Sequence, residues 1–337
     1  MVFRLADLDG QLTGVRLWQQ LGLPGGTPDF TRVDGGWELR LARPSAHRME
    51  YLFALRDTDG HERTVVDPTN PVRVTGAFGD HSVLELPGYT APRWLQVPPV
   101  PSTCSPLPVI GTAVGDVDVT VWAPADAEPA ETLPLLVAHD GPELSSYAAL
   151  DRFVGAGIAT GELPRMRLAL LAPGERDAWY SANADYARAL SDQVLPAVRA
   201  AHPATAGVVG LGASLGGLAL LHAEWSHPGT FAALCCQSGS FFTAETDPQE
   251  RDFSGFGPVS GFVGRVLAAE SAPTSVAVAL TCGSAEENVH NNRVLAAKLS
   301  TLGLAVSYAE SPDVHNYTGW RDVLDPHLAA LLQRVWR

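Results

Sequence analysis

The chain has 337 residues, 46% of them hydrophobic and 18% charged, so it can bury a full core and is not a disordered sequence. Its formal net charge of −14 argues against a nucleic-acid partner, which would need a basic face. No apolar run approaches the roughly 18–20 residues of a membrane span, and the start, Met1 to Asp7, lacks the basic and apolar regions of a secretory signal, so a cytoplasmic protein without a membrane partner is expected. From the first residue to about residue 100 the sequence runs in short alternating stretches: Val15-Arg16-Leu17-Trp18, Trp37 to Leu41, and Tyr51 to Leu55. Turn signals separate them at Leu23-Pro24-Gly25-Gly26, Asp34-Gly35-Gly36 and Asp57-Thr58-Asp59-Gly60. That texture predicts an antiparallel β-sandwich. Between Pro87 and Pro108 the chain is rich in proline, centred on Val97-Pro98-Pro99-Val100-Pro101, which predicts a stiff linker. The expected division is therefore a sandwich over residues 1–104 and a second domain over 105–337.

The second region alternates strands with longer helical stretches, as in a mainly parallel sheet. Leu135 to Ala138 is a buried strand ending at His139-Asp140-Gly141, and Leu168 to Ala172 is another, ending at Pro173-Gly174. A polar loop through Trp179, Tyr180 and Asn183 leads to a helix with Tyr186, Leu190 and Val194 on one face. Next come the apolar strand Val208 to Gly212, Ser214, and a helix to about Glu224 that stops at His227-Pro228-Gly229. Phe231 to Cys236 and Val276 to Leu280 read as strands, the second followed by Cys282-Gly283 and Glu286. A helix through Val294, Leu295 and Leu299, a strand from Leu304 to Tyr308, His315, and a closing helix from Trp320 to Trp336 complete the order. Cys104, Cys235, Cys236 and Cys282 show neither metal spacing nor a disulfide framework. Vicinal Cys235 and Cys236 are expected as buried free thiols. His222 and His227 offer little as a metal pair, and no motif implies a metal or organic cofactor.

Gly212-Ala213-Ser214-Leu215-Gly216, with an apolar strand before it and a helix after it, has the layout of a nucleophile elbow. A Cβ at either flanking glycine would collide with backbone in so tight a turn. Ser214, Glu286 and His315 each follow an expected strand, and ligands of doubly wound sheets bind beyond the carboxyl ends of the strands. Their order, serine then acid then histidine, is that of an α/β-hydrolase sheet. A serine hydroxyl is a poor nucleophile near neutral pH, so His315 would take its proton and Glu286 would fix the imidazole tautomer. Glu287 and Asp313 are runner-up acids; Asp313, two residues from His315, reaches the outer ring nitrogen awkwardly.

Several segments together resemble the esterase family that contains enterochelin (ferric enterobactin) esterases, with relatives among feruloyl esterases, S-formylglutathione hydrolases and mycolyltransferases. They are His139-Asp140-Gly141, Asn183-Ala184-Asp185, Gly212 to Gly217, Gln237-Ser238-Gly239-Ser240, Gly283-Ser284-Ala285-Glu286, and His315 followed by Trp320-Arg321. The likeness runs from about Leu133 to Leu332. The front region resembles the N-terminal sandwich of the same esterases and, more generally, early-set, immunoglobulin-like modules, through Tyr51-Leu52-Phe53, Asp67 to Pro71 and Ser82-Val83-Leu84. The resemblance implies an α/β-hydrolase fold behind an antiparallel β-sandwich. It also implies a serine esterase using Ser214, Glu286 and His315 on a small-molecule ester, with siderophore trilactone hydrolysis the best-known activity of the family.

By that analogy one oxyanion donor is the amide of Leu215 and the second comes from the loop after Asp140-Gly141. Pro142 has no N–H to give, which leaves Gly141, Glu143 or a side chain. Asp140, Tyr180, Asn183, Trp320 and Arg321 are the candidate substrate contacts. Arg152, Arg176, Arg251 and Arg321 are the candidate cations for an anionic ferric catecholate. The alternatives are a non-catalytic or weakly active binding protein on a hydrolase fold, which Pro142 supports, and an acyltransferase, which shares the acyl-enzyme.

Overall fold

The computed structural model describes residues 1–21 and 28–336; the turn expected at Leu23-Pro24-Gly25-Gly26 lies outside them. The described chain forms two compact units. The first is Met1–Thr90 together with Gly283–Glu287 and Pro312–His315; the second is Ala91–Cys282, Asn288–Ser311 and the chain from Asn316 onward.

The first unit is all antiparallel. Val2–Ala6, Gly36–Arg40 and Thr31–Val33 make a three-stranded sheet, and Leu12–Gln19, Arg48–Asp57, Gly79–Glu85 and Arg73–Gly76 a larger one, with Glu62–Val65 paired to Arg48–Asp57. Period-two alternation sends Phe3, Trp37 and Leu39 from one sheet and Val15, Leu17, Met49, Tyr51, Phe53 and Leu55 from the other into a single core. Phe3 stands edge-on to Tyr51 with ring centroids 5.1 Å apart. The turns at Gly35 (φ 77°) and Gly60 (φ 83°) take the left-handed backbone that the Asp-Gly signals announce. This is the expected β-sandwich.

The second unit is built on an eight-stranded sheet. In chain order its strands are β1 (Ser102–Pro106), β2 (Val119–Pro124), β3 (Leu135–His139), β4 (Arg167–Leu171), β5 (Val209–Ala213), β6 (Ala233–Gln237), β7 (Ala277–Gly283) and β8 (Val306–Ser311). They lie in the order β8-β7-β6-β5-β3-β4-β2-β1, with β1 and β2 antiparallel to their neighbours and β4, β3, β5, β6 and β7 running parallel. Every residue of β3 to β6 is buried, as continuous apolar runs covered on both faces require. Two apolar layers flank the sheet: Leu190, Val194, Leu218 and Phe262 belong to one, Phe153, Val154, Leu328 and Leu332 to the other. This is the α/β-hydrolase fold.

Five segments depart from expectation. The proline-rich stretch is not linker throughout, because Arg93–Gln96 forms a helical turn and Ser102–Pro106 pairs as the edge strand β1. An edge position suits such a sequence, since proline cannot donate to an inner ladder. The helices Gly141–Ala148, Leu150–Thr160 and Phe256–Ala268 were not singled out in the sequence. The closing helix is broken. Tyr317–Asp322 and Ala329–Trp336 are separate helices, and between them Asp325 takes φ −105°, ψ 126°. Pro326 causes this, because its ring disfavours the helical region for the residue before it. Among the described residues, no helix is long and apolar enough to cross a membrane.

Candidate active site

Strand β5 turns into the helix Leu215–Ser226 through Ser214, whose backbone is at φ 55°, ψ −126°. A non-glycine residue is rarely held there, and such strain persists only where the surroundings enforce it. The neighbours show how. A Cβ on Gly212 would lie 2.5 Å from the carbonyl of Gly216, and one on Gly216 would lie 3.2 Å from the His139 Cβ. The Ser214 amide donates to the Gln237 carbonyl at 2.9 Å, pinning the turn to the end of β6. The Ser214 hydroxyl is half-buried and lies 3.2 Å from the Ser240 hydroxyl, in a segment of known likeness but with a contact that the sequence did not reveal.

The end of β3 lies beside the elbow. Asp140 is also left-handed (φ 49°) and precedes the helix Gly141–Ala148. A Cβ on Gly141 would meet the Leu170 Cα at 2.4 Å, so only glycine fits. Pro142 stands in the first turn of this helix, where its missing N–H deprives no helical bond. The amides of Leu215 and Gly141 are each the first of a helix, positions with no intrahelical acceptor. The buried Asp140 carboxylate receives both Nε and Nη2 of Arg176, each at 2.8 Å. Burial opposes charge on Arg176, but the hydrogen bonds and ion pair to Asp140 outweigh it and raise its pKa. The guanidinium also sits 5.5 Å from the Tyr180 ring centroid.

His139 is fully buried against Tyr180 and Tyr186, with ring centroids 4.8 and 5.5 Å away. Its Nδ1 lies 3.1 Å from the Gly216 carbonyl, and Nε2 has no hydrogen-bond partner. Desolvation pushes its pKa down to about 4, so it stays neutral and acts as a structural strut. Burial likewise raises the Tyr180 phenol well above its ordinary value.

The other candidate contacts have defined places. Tyr180 has no exposed surface. Asn183 caps the helix Ala184–Ala189, its Oδ1 accepting from the amides of Asp185 (2.9 Å) and Tyr186 (3.1 Å). It also lines an open cleft of ≈ 660 Å³ with Gly174, Arg176, Ala178, Ser181 and Ser254. Buried Trp320 donates Nε1–H to the Ser238 hydroxyl at 3.0 Å and accepts from Gln237 Nε2 at 2.9 Å. Arg321 pairs with Asp322 and Arg152 donates to the Leu95 carbonyl, so two more of the four candidate cations have protein partners. Arg251 lies on the turn Pro248–Asp252.

Glu286 follows β7 and His315 follows β8. Within the first unit, His315 Nδ1 lies 2.5 Å from Glu286 Oε2, while the other oxygen of Glu286 accepts the Gly283 amide. The glutamate side chain is 1% exposed and the imidazole 33%. A buried carboxylate thus holds one ring nitrogen of a partly exposed histidine. Asp313 instead pairs with Arg48 at 3.3 Å.

The description "Putative esterase" covers a family model that matches residues 112–331. The chain belongs to this esterase family. It is a hydrolase, and its substrate is a small-molecule ester. Its fold is similar to that of the ferric enterobactin esterase of Salmonella typhimurium: TM-score 0.81, 21% identity, 99% of this chain and 93% of that one. The enterobactin esterase of Shigella flexneri, solved in the presence of enterobactin, gives 0.80 at 20% identity over 99% and 93%. A ferulic acid esterase gives 0.56 at 15% identity over 71% of this chain and all of that one. No curated protein matches the sequence significantly.

Proposed function

We propose that this esterase works through an acyl-enzyme on Ser214, with His315 as general base and Glu286 as the group that orients and stabilises its imidazolium. His315 takes the Ser214 proton as the hydroxyl attacks the ester carbonyl, then returns it to the departing alkoxide. A water activated the same way releases the acid and frees Ser214. The amides of Leu215 and Gly141 carry the oxyanion; Pro142 is no obstacle because Gly141 lies before it. The observation that supports this reading most is the enforced elbow at Ser214 in a chain of this family.

The substrate we propose is a bulky lactone of the siderophore trilactone class, on the fold likeness to the ferric enterobactin esterases along almost the whole chain. Its bulky part would occupy the cleft lined by Arg176 and Asn183, with Asp140, Tyr180, Trp320 and Arg321 shaping the surroundings. We further place the protein in the cytoplasm, a reading supported by four cysteines that form no disulfide among the described residues.

Intact mass after treatment with a fluorophosphonate probe, on the wild type and on Ser214→Ala, tests the chemistry. One adduct that vanishes in the variant is the expected result. Folded wild-type protein that takes no adduct would overturn the reading and favour a binding protein on a hydrolase fold. Turnover of aryl esters with an intact trilactone would overturn the substrate class alone.

A further inference from the structure

The buried groups around Asp313 belong to no step of the proposed chemistry. Arg48 and Glu50, on the sandwich strand Arg48–Asp57, with His81 and Asp313, are all within 2–6% of full burial. Arg48 Nη1 donates to Glu50 Oε1 at 2.9 Å and Nη2 to Asp313 Oδ2 at 3.3 Å, and His81 Nδ1 lies 3.2 Å from Glu50 Oε2. Burial raises the Glu50 pKa, but the His81 hydrogen bond and the Arg48 charge outweigh it and keep the carboxyl below its ordinary value. Charges this deep are retained at a cost in desolvation, so their partnership has to be set against what it holds in place.

What it holds is the segment before His315. The His47 amide donates to the Pro312 carbonyl at 2.7 Å. Asp313 gives one oxygen to Arg48 and the other to the Val314 amide at 2.8 Å. Val314 is 2% exposed and is part of the sandwich core with Met49 and Tyr51. Ala285 packs against the same core, and its amide donates to the Asp313 carbonyl at 3.2 Å. A Cβ on Gly283 would fall 2.5 Å from that carbonyl, so the acid-bearing and histidine-bearing loops touch closely. Three consecutive residues before His315, and one beside Glu286, are thus fixed by the sandwich.

We infer that Arg48 is a positioning residue for His315, acting through Asp313, and that the β-sandwich is part of the catalytic apparatus because it holds the histidine loop in register. The inference rests on the reading of His315 as general base. It gives Asp313 a role other than triad acid: its carboxylate anchors the loop, while Glu286 holds the ring. Misplacing a catalytic group by about 1 Å can cost roughly 10²-fold in rate.

The test compares wild type, Arg48→Met, Asp313→Asn, the double variant and Tyr51→Phe in aryl-ester turnover, with fluorophosphonate labelling and thermal unfolding alongside. Tyr51 bonds Asp67 through its hydroxyl at 2.8 Å inside the same sandwich, so its variant removes that bond from the unit while keeping the ring that shares the core with Val314. Arg48→Met should lower kcat and the labelling rate about 10²-fold with KM changed less than about 3-fold. Asp313→Asn, which keeps an acceptor for Arg48, should lose about 10-fold, and the double variant no more than Arg48→Met alone, because the two act as a unit. Tyr51→Phe should keep wild-type kcat. Arg48→Met folded with wild-type kcat, or a double variant whose losses multiply, overturns the inference. If Arg48→Met does not fold, Asp313→Asn at wild-type kcat overturns it. Wild type that neither turns over ester nor labels overturns the esterase reading instead, so the two failures are separable.

Discussion

Replacing Arg176 by Met should expose how Asp140 is kept in its left-handed conformation. The substitution deletes two hydrogen bonds of 2.8 Å to a carboxylate that is 4% exposed, and a cation above the Tyr180 ring. Removing one partner of a buried pair costs roughly 3–5 kcal/mol, since the remaining charge has lost its compensation. The Arg176 side chain is 35% exposed, so water entering behind it re-solvates part of the orphaned carboxylate. We therefore expect about 2–3 kcal/mol, at or just below the lower bound of that range after solvent screening. Asp140→Asn in the same chain removes the orphaned charge and should recover at least about 1 kcal/mol of the loss.

The catalytic consequence follows from the next residue. The Gly141 amide, a proposed oxyanion donor, is oriented by the peptide that Asp140 begins. Releasing Asp140 from φ 49° turns that peptide, and losing one donor costs about 10²–10³ in rate. Urea unfolding followed by tryptophan fluorescence gives the stability change, and the fluorophosphonate labelling rate gives the functional one. An Arg176→Met protein less than about 1 kcal/mol weaker than wild type, or a double variant that is weaker still, refutes the orphaned-charge reasoning. Loss of stability with unchanged labelling refutes the link to Gly141.

Gly212→Ala places a methyl 2.5 Å from the Gly216 carbonyl, a backbone clash that should cost about 1–3 kcal/mol and abolish labelling of Ser214; retained labelling in a folded variant contradicts the elbow geometry. Burial pushes the Cys235 thiol up to about 12 and raises that of Cys236 further, and Cys282 is buried too, so iodoacetamide at pH 8 should add a single equivalent to native protein, at exposed Cys104. A second equivalent before unfolding would count against it. His139, held down to about 4, is neutral when folded and takes up a proton when unfolded below about pH 6.5. Its stabilisation is therefore complete above pH 6.5 and is lost as pH falls towards 4, by about 3 kcal/mol in total; urea midpoints at pH 7, 5 and 4 that do not fall, or that fall equally in His139→Phe, contradict this.

How much of this was legible in the sequence depends on the range of the interaction involved. Strands such as Leu135–His139 and Val209–Ala213 announce themselves through local apolar runs, and the elbow through its glycines, because each is decided within a few residues. The break at Asp325 is equally local, since Pro326 follows it, and the helix expected from Trp320 to Trp336 ran across that proline. Edge strand β1 was masked by proline, which signals linker and edge strand alike. The pairings that distinguish this site were beyond such reading. Asp140 finds Arg176 36 positions away, Ser214 meets Ser240 at 26, and Asp313 reaches Arg48 at 265. No local pattern links the two members of any of these pairs.

The last of these bears most on what a hydrolase sequence conceals. On spacing alone, Asp313 was a rival to Glu286, because both are acids near the histidine in chain or in expected order. Their surroundings separate them physically. Glu286 is bonded through one oxygen to the Gly283 amide and presents the other to His315, so the carboxyl is held in place and aimed at the ring. Asp313 spends its oxygens on Arg48 and on the Val314 amide, in a buried pair that the sandwich closes. Two acids associated with the same histidine, one two positions from it and the other 29, therefore have different partners. The difference is encoded in Arg48 and Val314, whose identities mean nothing until the fold brings residues 48 and 313 together.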